Sequence, residues 1–441
     1  GHFIKEVKEL SRLYARSNKA AAVIFEHLTK QGTLLKTEKY AHDYPHCWRC
    51  STPLLYYART SWFVAMSKLR KQLLAANKTI NWTPSHIKEG RFGEWLKEVK
   101  DWNFSRERYW GTPLPMWRCE QGHEQVVGSL ADLKKFAKPK NQYFIARHGG
   151  ATHNLEAKIA SGPEQGYNVS HLTEAGQRQV EKAAQQLKKK KINLIVASPY
   201  ARTQETAKII AKITKAKIIT DKRLGELNAG IFNWQPETTY KAFFHNELER
   251  FSRAPDNAET LTQVRARMIA AIKDLEKKYQ GKNILIVSHG DPLWILGAAV
   301  RGLSNEQTFQ ATYLAPGSWA GIEAPTLPFD ADGSVDVHRP YIDGVVFPCP
   351  RCRKPMQRVK EVVDGWFDSG AMPYAQAHFP FDLTQGKPQE IDYPADYIAE
   401  GIDQTRGWFY TLLAVAVALG RPAPYKNVIC FGLIHDKHGL K

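Results

Sequence analysis

Between residues 143 and 300 the apolar positions alternate between two periods. Tyr143-Phe144-Ile145-Ala146, Leu194-Ile195-Val196-Ala197 and Ile284-Leu285-Ile286-Val287 are short unbroken apolar runs, the pattern of strands buried on both faces. Between them the spacing is helical. The stretch 171–191 carries Val180, Ala183, Ala184 and Leu187 on one face, and 203–214 reads as a second helix. Leu261, Val264, Met268, Ile272, Leu275 and Tyr279 mark a longer helix, with Gly281 as its expected C-cap. Strands alternating with helices predict a parallel sheet covered on both faces.

Outside this region the pattern differs. Residues 1–40 read as a helix with short apolar flanks. Residues 41–137 are rich in tryptophan, proline and arginine, and 138–141 read as a polar hinge. Near residue 326 the chain changes character again, and 393–441 read as strand, helix, strand. The expected organisation is therefore 1–40, 41–138, an insertion at 139–325, and 326–441. A chain of 441 residues is too long for one ordinary core, and 43% hydrophobic residues exclude wholesale disorder. The formal charge of +18 favours an anionic partner, nucleic acid first. The apolar run 412–419 is too short to span a bilayer, and no signal peptide opens the chain. The chain starts at Gly1-His2-Phe3 and stops at Gly439-Leu440-Lys441, and both ends read as cuts in a longer protein.

Three strands of the insertion run into polar strings where α/β sheets bind ligands. These are Arg147-His148-Gly149, Ser198-Pro199-Tyr200-Ala201-Arg202-Thr203 and Ser288-His289-Gly290-Asp291. Two histidines and two arginines can converge there. Arginines clamp phosphoryl oxygens, a histidine nitrogen can attack phosphorus, and a carboxylic acid must protonate the leaving oxygen. Glu226 is the candidate acid. With Asn154 and the Glu259-Thr260 pair, this order of motifs resembles the histidine phosphatase superfamily over the whole insertion. The resemblance implies a three-layer α/β/α domain with His148 as the phosphorylated nucleophile. Arg147, Arg202 and His289 would cradle the phosphate, Asn154 and Ser288 would contact it, and Glu226 would be the proton donor. Gly150 and Ala151 replace the Glu-Thr that often follows the family's RHG triplet, which removes one phosphate-contacting hydroxyl. The phosphorylated substrate is not legible.

The flanking parts carry many strings in a fixed order. Among them are His46-Cys47-Trp48-Arg49-Cys50, Asn81-Trp82-Thr83-Pro84-Ser85-His86, Arg108-Tyr109-Trp110-Gly111-Thr112-Pro113, Trp366-Phe367-Asp368-Ser369-Gly370 and Glu400-Gly401-Ile402-Asp403-Gln404-Thr405-Arg406-Gly407-Trp408. They resemble the class I aminoacyl-tRNA synthetases, the isoleucine branch above all, over about 1–137 and 326–441. The resemblance implies an α/β chain with a split Rossmann-type core that activates isoleucine with ATP and Mg2+ and esterifies tRNA(Ile), in a cytoplasmic monomer. Glu400, Gly401, Asp403 and Gln404 would contact the aminoacyl-adenylate, and Trp366 and Trp110 would wall an apolar amino-acid pocket. Residues 1–40 would end the editing module. The family's HIGH motif would precede residue 1, and Lys441 aligns with the first lysine of the KMSKS loop. The chain alone is expected not to charge tRNA.

The six cysteines lie mostly in metal-like spacings, which suits an intracellular metal protein more than a disulfide scaffold. Cys349 and Cys352 form a knuckle, and Cys119 with His123 is its expected partner in a small structural zinc module. The resembled family usually has a second cysteine near Cys119. Cys47 and Cys50 resemble half of another zinc site whose remainder would lie upstream. Cys430, in an apolar strand, reads as packing. One alternative stays open at this point: the insertion could be a catalytically dead fold that binds tRNA or a protein partner.

Overall fold

The computed structural model of the protein describes residues 1–47, 49–56, 58–162, 167–323, 326–377, 379, 391–432 and 435–439. Lys441, expected to open the KMSKS loop, lies outside the described residues. The chain divides into two compact units, Gly1–Ser61 and Trp62–Lys441.

In the first unit a helix spans Asn18–Lys30, started by Ser17, whose side chain accepts from the Ala20 N–H. The Cys47–Cys50 turn closes on itself, with Ser51 N–H donating to Cys47 O and Cys47 N–H to Thr52 O.

Inside the second unit lies a five-stranded sheet. Its strands are β1 (Gln142–Arg147), β2 (Leu194–Ala197), β3 (Lys217–Thr220), β4 (Asn283–Ser288) and β5 (Trp319–Ile322), in the order β5-β1-β4-β2-β3. Strands β1 to β4 are parallel. The edge strand β5 runs antiparallel to β1, with Trp319 opposite Ala146, so the sheet is not wholly parallel as the alternation predicts. The longer helices of the insertion, of twelve residues or more, are α1 (Glu174–Lys188), α2 (Ala201–Thr214), α3 (Leu261–Lys278) and α4 (Gly290–Arg301). Period-2 alternation sends Phe144, Ala146, Ile195 and Leu285 into one core with Val180, Leu187 and Ile210. It sends Tyr143, Ile145, Val196 and Ile286 into another with Val264, Met268 and Ile295.

Helix α1 begins at Glu174, three residues later than the periodicity suggests, because the Thr173 hydroxyl caps it by accepting from Gly176 N–H. Helix α3 opens with a Thr260–Gln263 capping box. Its end differs from expectation. Tyr279 is already extended, held by Asn141 Nδ2 on its carbonyl at 2.9 Å, and Gly281 follows at φ +65° outside the cap. Asn141 itself is buried and also donates to Glu276 at 2.9 Å, so the segment expected to be a polar hinge is anchored.

The flanking parts rejoin in space. A parallel three-stranded sheet takes Asn81–Thr83 from before the insertion and Ala395–Gly401 and Tyr425–Phe431 from after it. Helix Trp408–Ala418 packs on this sheet in a core that includes Trp82, Phe92, Phe409 and the buried Cys430. A second, antiparallel sheet orders Phe347–Pro348, Pro355–Arg358, Met116–Cys119 and Glu124–Val126. There Met356 pairs with Cys119, one strand from each side of the insertion. Trp117, Phe347 and Met356 belong to the same apolar cluster as Ile145 and Met268 of the insertion. Phe136 stacks on Phe347 at 5.3 Å, and Lys134 Nζ donates to the carbonyl of Arg301 at the end of α4. Among the described residues, no helix is long and apolar enough to cross a membrane.

Candidate functional site

The ends of β1 and β4 and the start of α2 bring the sequence-selected residues of the insertion together. His148 follows β1 and is 1% exposed. Its Nδ1 lies 2.7 Å from the carbonyl of Gly149, which can only accept, so the ring proton sits on Nδ1. Nε2 therefore carries the lone pair, and Arg202 Nε donates to it at 3.2 Å. Burial first, then the Arg202 guanidinium, hold His148 well below the ordinary histidine range. The His289 ring stands 5.3 Å away, edge-on. Its Nε2 is 2.7 Å from Ser198 Oγ, and burial followed by Arg202 likewise keeps it neutral.

Several donors in this cluster point at nothing. Arg147 Nε, Arg202 Nη1 and His289 Nδ1 are buried without a hydrogen-bond partner among the described residues. Other nitrogens of the two arginines are used: Arg147 Nη1 donates to Leu314 O and Arg202 Nη2 to Ala160 O. Unpaired buried polar groups are costly, and two guanidinium donors left unpaired among the described residues suit an anion.

Glu226 borders the same cluster, with Oε2 3.8 Å from His289 Nδ1. Its carboxyl is raised to about 7, by burial first and then by the Asp291 carboxylate, against the pull of Arg202. Its loop is clamped by Arg267, whose Nη1 donates to Gly225 O and Nη2 to Glu226 O, while Glu259 holds Arg267 Nε at 2.9 Å. A cavity of about 480 Å³ opens over Arg147, Glu226 and Asn154.

Two residues sit otherwise than the resemblance implied. Ser288 is fully buried and its hydroxyl donates to Leu224 O at 2.6 Å, which fixes the Glu226 loop and spends the group expected on phosphate. Asn154 lines the cavity, but its Oδ1 accepts from Ala151 N–H and its Nδ2 faces His153 Nε2.

Sequence reasoning passed over four neighbours: His153, Arg250, Asp291 and Tyr313. Asp291 bonds Arg250 Nη2 at 2.6 Å and accepts from the Tyr313 hydroxyl at 3.0 Å. Asp291 directly follows Ser288-His289-Gly290 and His153 precedes Asn154, so both were within reach of the motifs. Arg250 and Tyr313 lie on segments with no apolar period to place them.

Cys119, His123, Cys349 and Cys352 form one cluster, their ligand atoms all within 4.8 Å of one another. Cys119 Sγ lies 3.6 Å from His123 Nδ1 and 3.7 Å from Cys352 Sγ. Burial works against the Cys349 thiolate, yet the backbone N–H groups of Cys352 and Arg351 outweigh it and bring the thiol to about 6. Two tight turns of opposite strands thus offer three sulphurs and one nitrogen, a donor set that fits tetrahedral zinc. Cys47 and Cys50 join no cluster of three or more such groups among the described residues, and Cys50 Sγ instead meets Thr52 Oγ1 at 3.1 Å.

In the other flanking site, Glu400 and Gly401 end a strand, and Asp403 and Gln404 lie on the 3-10 turn Ile402–Arg406 before helix Trp408–Ala418. Gln404 Oε1 accepts from Trp408 N–H at 2.9 Å. A Cβ at Gly407 would collide with Gln404 and the Trp366 ring, so these three meet. Trp110 differs from expectation: it is 75% exposed and meets Tyr109 edge-on at 5.0 Å, a surface ring in place of a pocket wall. Asp364, also missed, ties the halves together by capping helix Gly365–Ala375 and pairing with Arg106 at 2.7 Å.

The family model described as tRNA synthetases class I (I, L, M and V) matches residues 5–161 and 336–441. The chain belongs to this family of class I tRNA synthetases. The histidine phosphatase superfamily (branch 1) matches residues 143–325. The isoleucine–tRNA ligase of Clostridium acetobutylicum is 30% identical over 441 residues, 100% of this chain and 24% of its own length. That of Thermus thermophilus is 29% identical over 436 residues, 99% of this chain and 23% of its own. The chain spans about a quarter of the length of these curated relatives. Similar solved structures include Bacillus stearothermophilus YhfR, at 23% identity and TM-score 0.38, covering 44% of this chain and 94% of its own. A mycobacterial glucosyl-3-phosphoglycerate phosphatase gives 22% identity and TM-score 0.37, over the same shares.

Proposed function

We propose that the insertion is a phosphomonoester hydrolase of three-layer α/β/α build, working through a phosphohistidine on His148. The observation that carries this reading is the set of buried nitrogens without a partner among the described residues, Arg147 Nε, Arg202 Nη1 and His289 Nδ1, on side chains that neighbour His148, whose Nε2 is unprotonated. A phosphoryl group supplies the missing acceptors. Nε2 of His148 then forms a bond to phosphorus as the bond from phosphorus to the leaving oxygen breaks. Glu226, protonated in part near neutral pH, gives its proton to that oxygen. As a carboxylate it next takes a proton from water, which attacks phosphorus and breaks the N–P bond. The imidazole returns with phosphate as product. Arg202 and His289 stabilise the spreading negative charge. The test is hydrolysis of p-nitrophenyl phosphate by the wild type and His148→Asn, with acid-quench trapping of a phosphoenzyme. Turnover retained in the variant removes His148 from the mechanism, and no turnover in either leaves the insertion as a binding appendage.

The surrounding parts serve an isoleucine–tRNA ligase in this proposal, with isoleucine, ATP with Mg2+ and tRNA(Ile) as its substrates and the cytoplasm as its place. The runs of strings and the isoleucine–tRNA ligase relatives support it. Glu400, Gly401, Asp403, Gln404 and Trp366 are its adenylate-side residues. Cys119, His123, Cys349 and Cys352 hold a structural zinc ion. Isoleucine-dependent exchange of pyrophosphate into ATP by the whole protein is the test, and exchange stimulated by another amino acid instead would reject it.

A further inference from the structure

The cavity over Glu226 also bears on the substrate, given the phosphomonoesterase reading on which this inference rests. Beyond the phosphate cluster, its buried cation is Arg250, 8% exposed. Arg250 is taken twice: Nη2 by Asp291 Oδ2 at 2.6 Å and Nη1 by Glu247 Oε2 at 3.1 Å. The exposed lysines of the wall are taken as well, Lys158 by Glu156 at 2.9 Å and Lys241 by Glu237 at 2.8 Å. One arginine between two carboxylates makes a locally negative group, so a second anion on the substrate would be repelled. Arg250 Nε, buried without a partner among the described residues, is therefore matched by a neutral acceptor.

The same wall is aromatic. Trp294 meets Phe309 at 5.4 Å and Tyr313 at 6.0 Å. Tyr313 is 48% exposed, and the Arg147 guanidinium lies over its ring at 5.3 Å from the centroid, which sets the ring beside the phosphate position. The space of about 480 Å³ holds far more than a phosphate.

We infer that the substrate is a monoester of a single phosphate with an uncharged, ring-bearing alcohol, of the nucleoside 5′-monophosphate kind, and that Tyr313 is the residue its ring stacks on. Among the described residues, the cations of this wall beyond the phosphate cluster are each paired with a carboxylate, which disfavours a phosphorylated carboxylic acid or a bisphosphate.

The experiment compares kcat/KM of the full chain for adenosine 5′-monophosphate, glycerol phosphate, 3-phosphoglycerate and fructose 1,6-bisphosphate, with p-nitrophenyl phosphate as control. Base stacking of ordinary strength predicts a preference of about tenfold or more for the nucleotide over each of the other natural esters. In Tyr313→Leu the preference over glycerol phosphate falls by about fivefold, and in Tyr313→Phe, which keeps the ring, it is retained. Control turnover with 3-phosphoglycerate or the bisphosphate preferred overturns the inference alone. So does an unchanged preference in Tyr313→Leu. No turnover of any ester, the control included, overturns the phosphomonoesterase reading and this inference with it.

Discussion

Glu226 Oε2 and His289 Nδ1 face each other across 3.8 Å, and the histidine nitrogen has no other partner among the described residues. The carboxyl is held at about 7, by burial first and by Asp291 next. A general acid must be protonated to act, so kcat/KM falls as pH rises through about 7. Asp291→Asn removes a neighbouring negative charge, lets Glu226 ionise earlier and moves that falling limb to lower pH. A limb that stays where it was removes Asp291 from control of the acid. Glu226→Gln lowers kcat by about 100-fold on alkyl phosphates and by less on p-nitrophenyl phosphate, whose leaving group needs little help.

Acid sensitivity of the fold follows from the buried rings. His148 and His289 are held well below the ordinary histidine range, and His153 is lowered to about 3, chiefly by burial. In the unfolded chain each titrates near about 6.5. Below that pH the unfolded state takes protons that the native state refuses, so stability drops as pH falls. Each such ring costs about 2 kcal/mol at pH 5. Urea unfolding at pH 7.5, 6 and 5 measures the slope, and His153→Gln flattens it by one ring's share. Equal slopes in the two proteins would exclude His153 as a contributor.

Gly176, at the start of α1, lies against the loop that follows His148. A Cβ there would collide with the carbonyl oxygen of Gly150, a backbone atom that cannot swing aside. Gly176→Ala should displace the loop, costing about 1–3 kcal/mol of stability by overpacking and at least about tenfold in phosphatase rate. Thermal unfolding and steady-state rates on one preparation check both.

The cysteine cluster predicts one zinc ion per chain. Cys349→Ser should lose the metal and lower stability by more than about 2 kcal/mol, because a closed structural site couples binding to folding. Metal analysis beside denaturant unfolding measures this. A metal-free wild type with Cys349→Ser equally stable would reject the site.

Much of the architecture is legible in the residues. Strands β1, β2 and β4 are interior, and their unbroken apolar runs announce it. The edge strands β3 and β5 are missed because Lys217-Ile218-Ile219-Thr220 and Trp319-Ala320-Gly321-Ile322 are short and only partly buried. Histidines and arginines that sit next to strand ends are found because strand ends are found. Arg250 reaches the cavity from the short 3-10 helix Glu247–Phe251 and Tyr313 from an irregular segment, where only tertiary packing sets direction. The misplaced end of α3 has a similar origin: a distant side chain, Asn141, decides where Tyr279 leaves the helix.

The pairing of Met356 with Cys119 means that strands from before and after the insertion are woven into one sheet, while Trp117 and Phe347 share a core with the insertion. Such a lobe cannot be shed by a protease nick without baring apolar surface, nor swapped for another fold of similar size. A substitution at this seam is judged by both domains at once. Their sequences should therefore drift together, so that relatives with the lobe carry seam residues matched to it and relatives without it carry different ones.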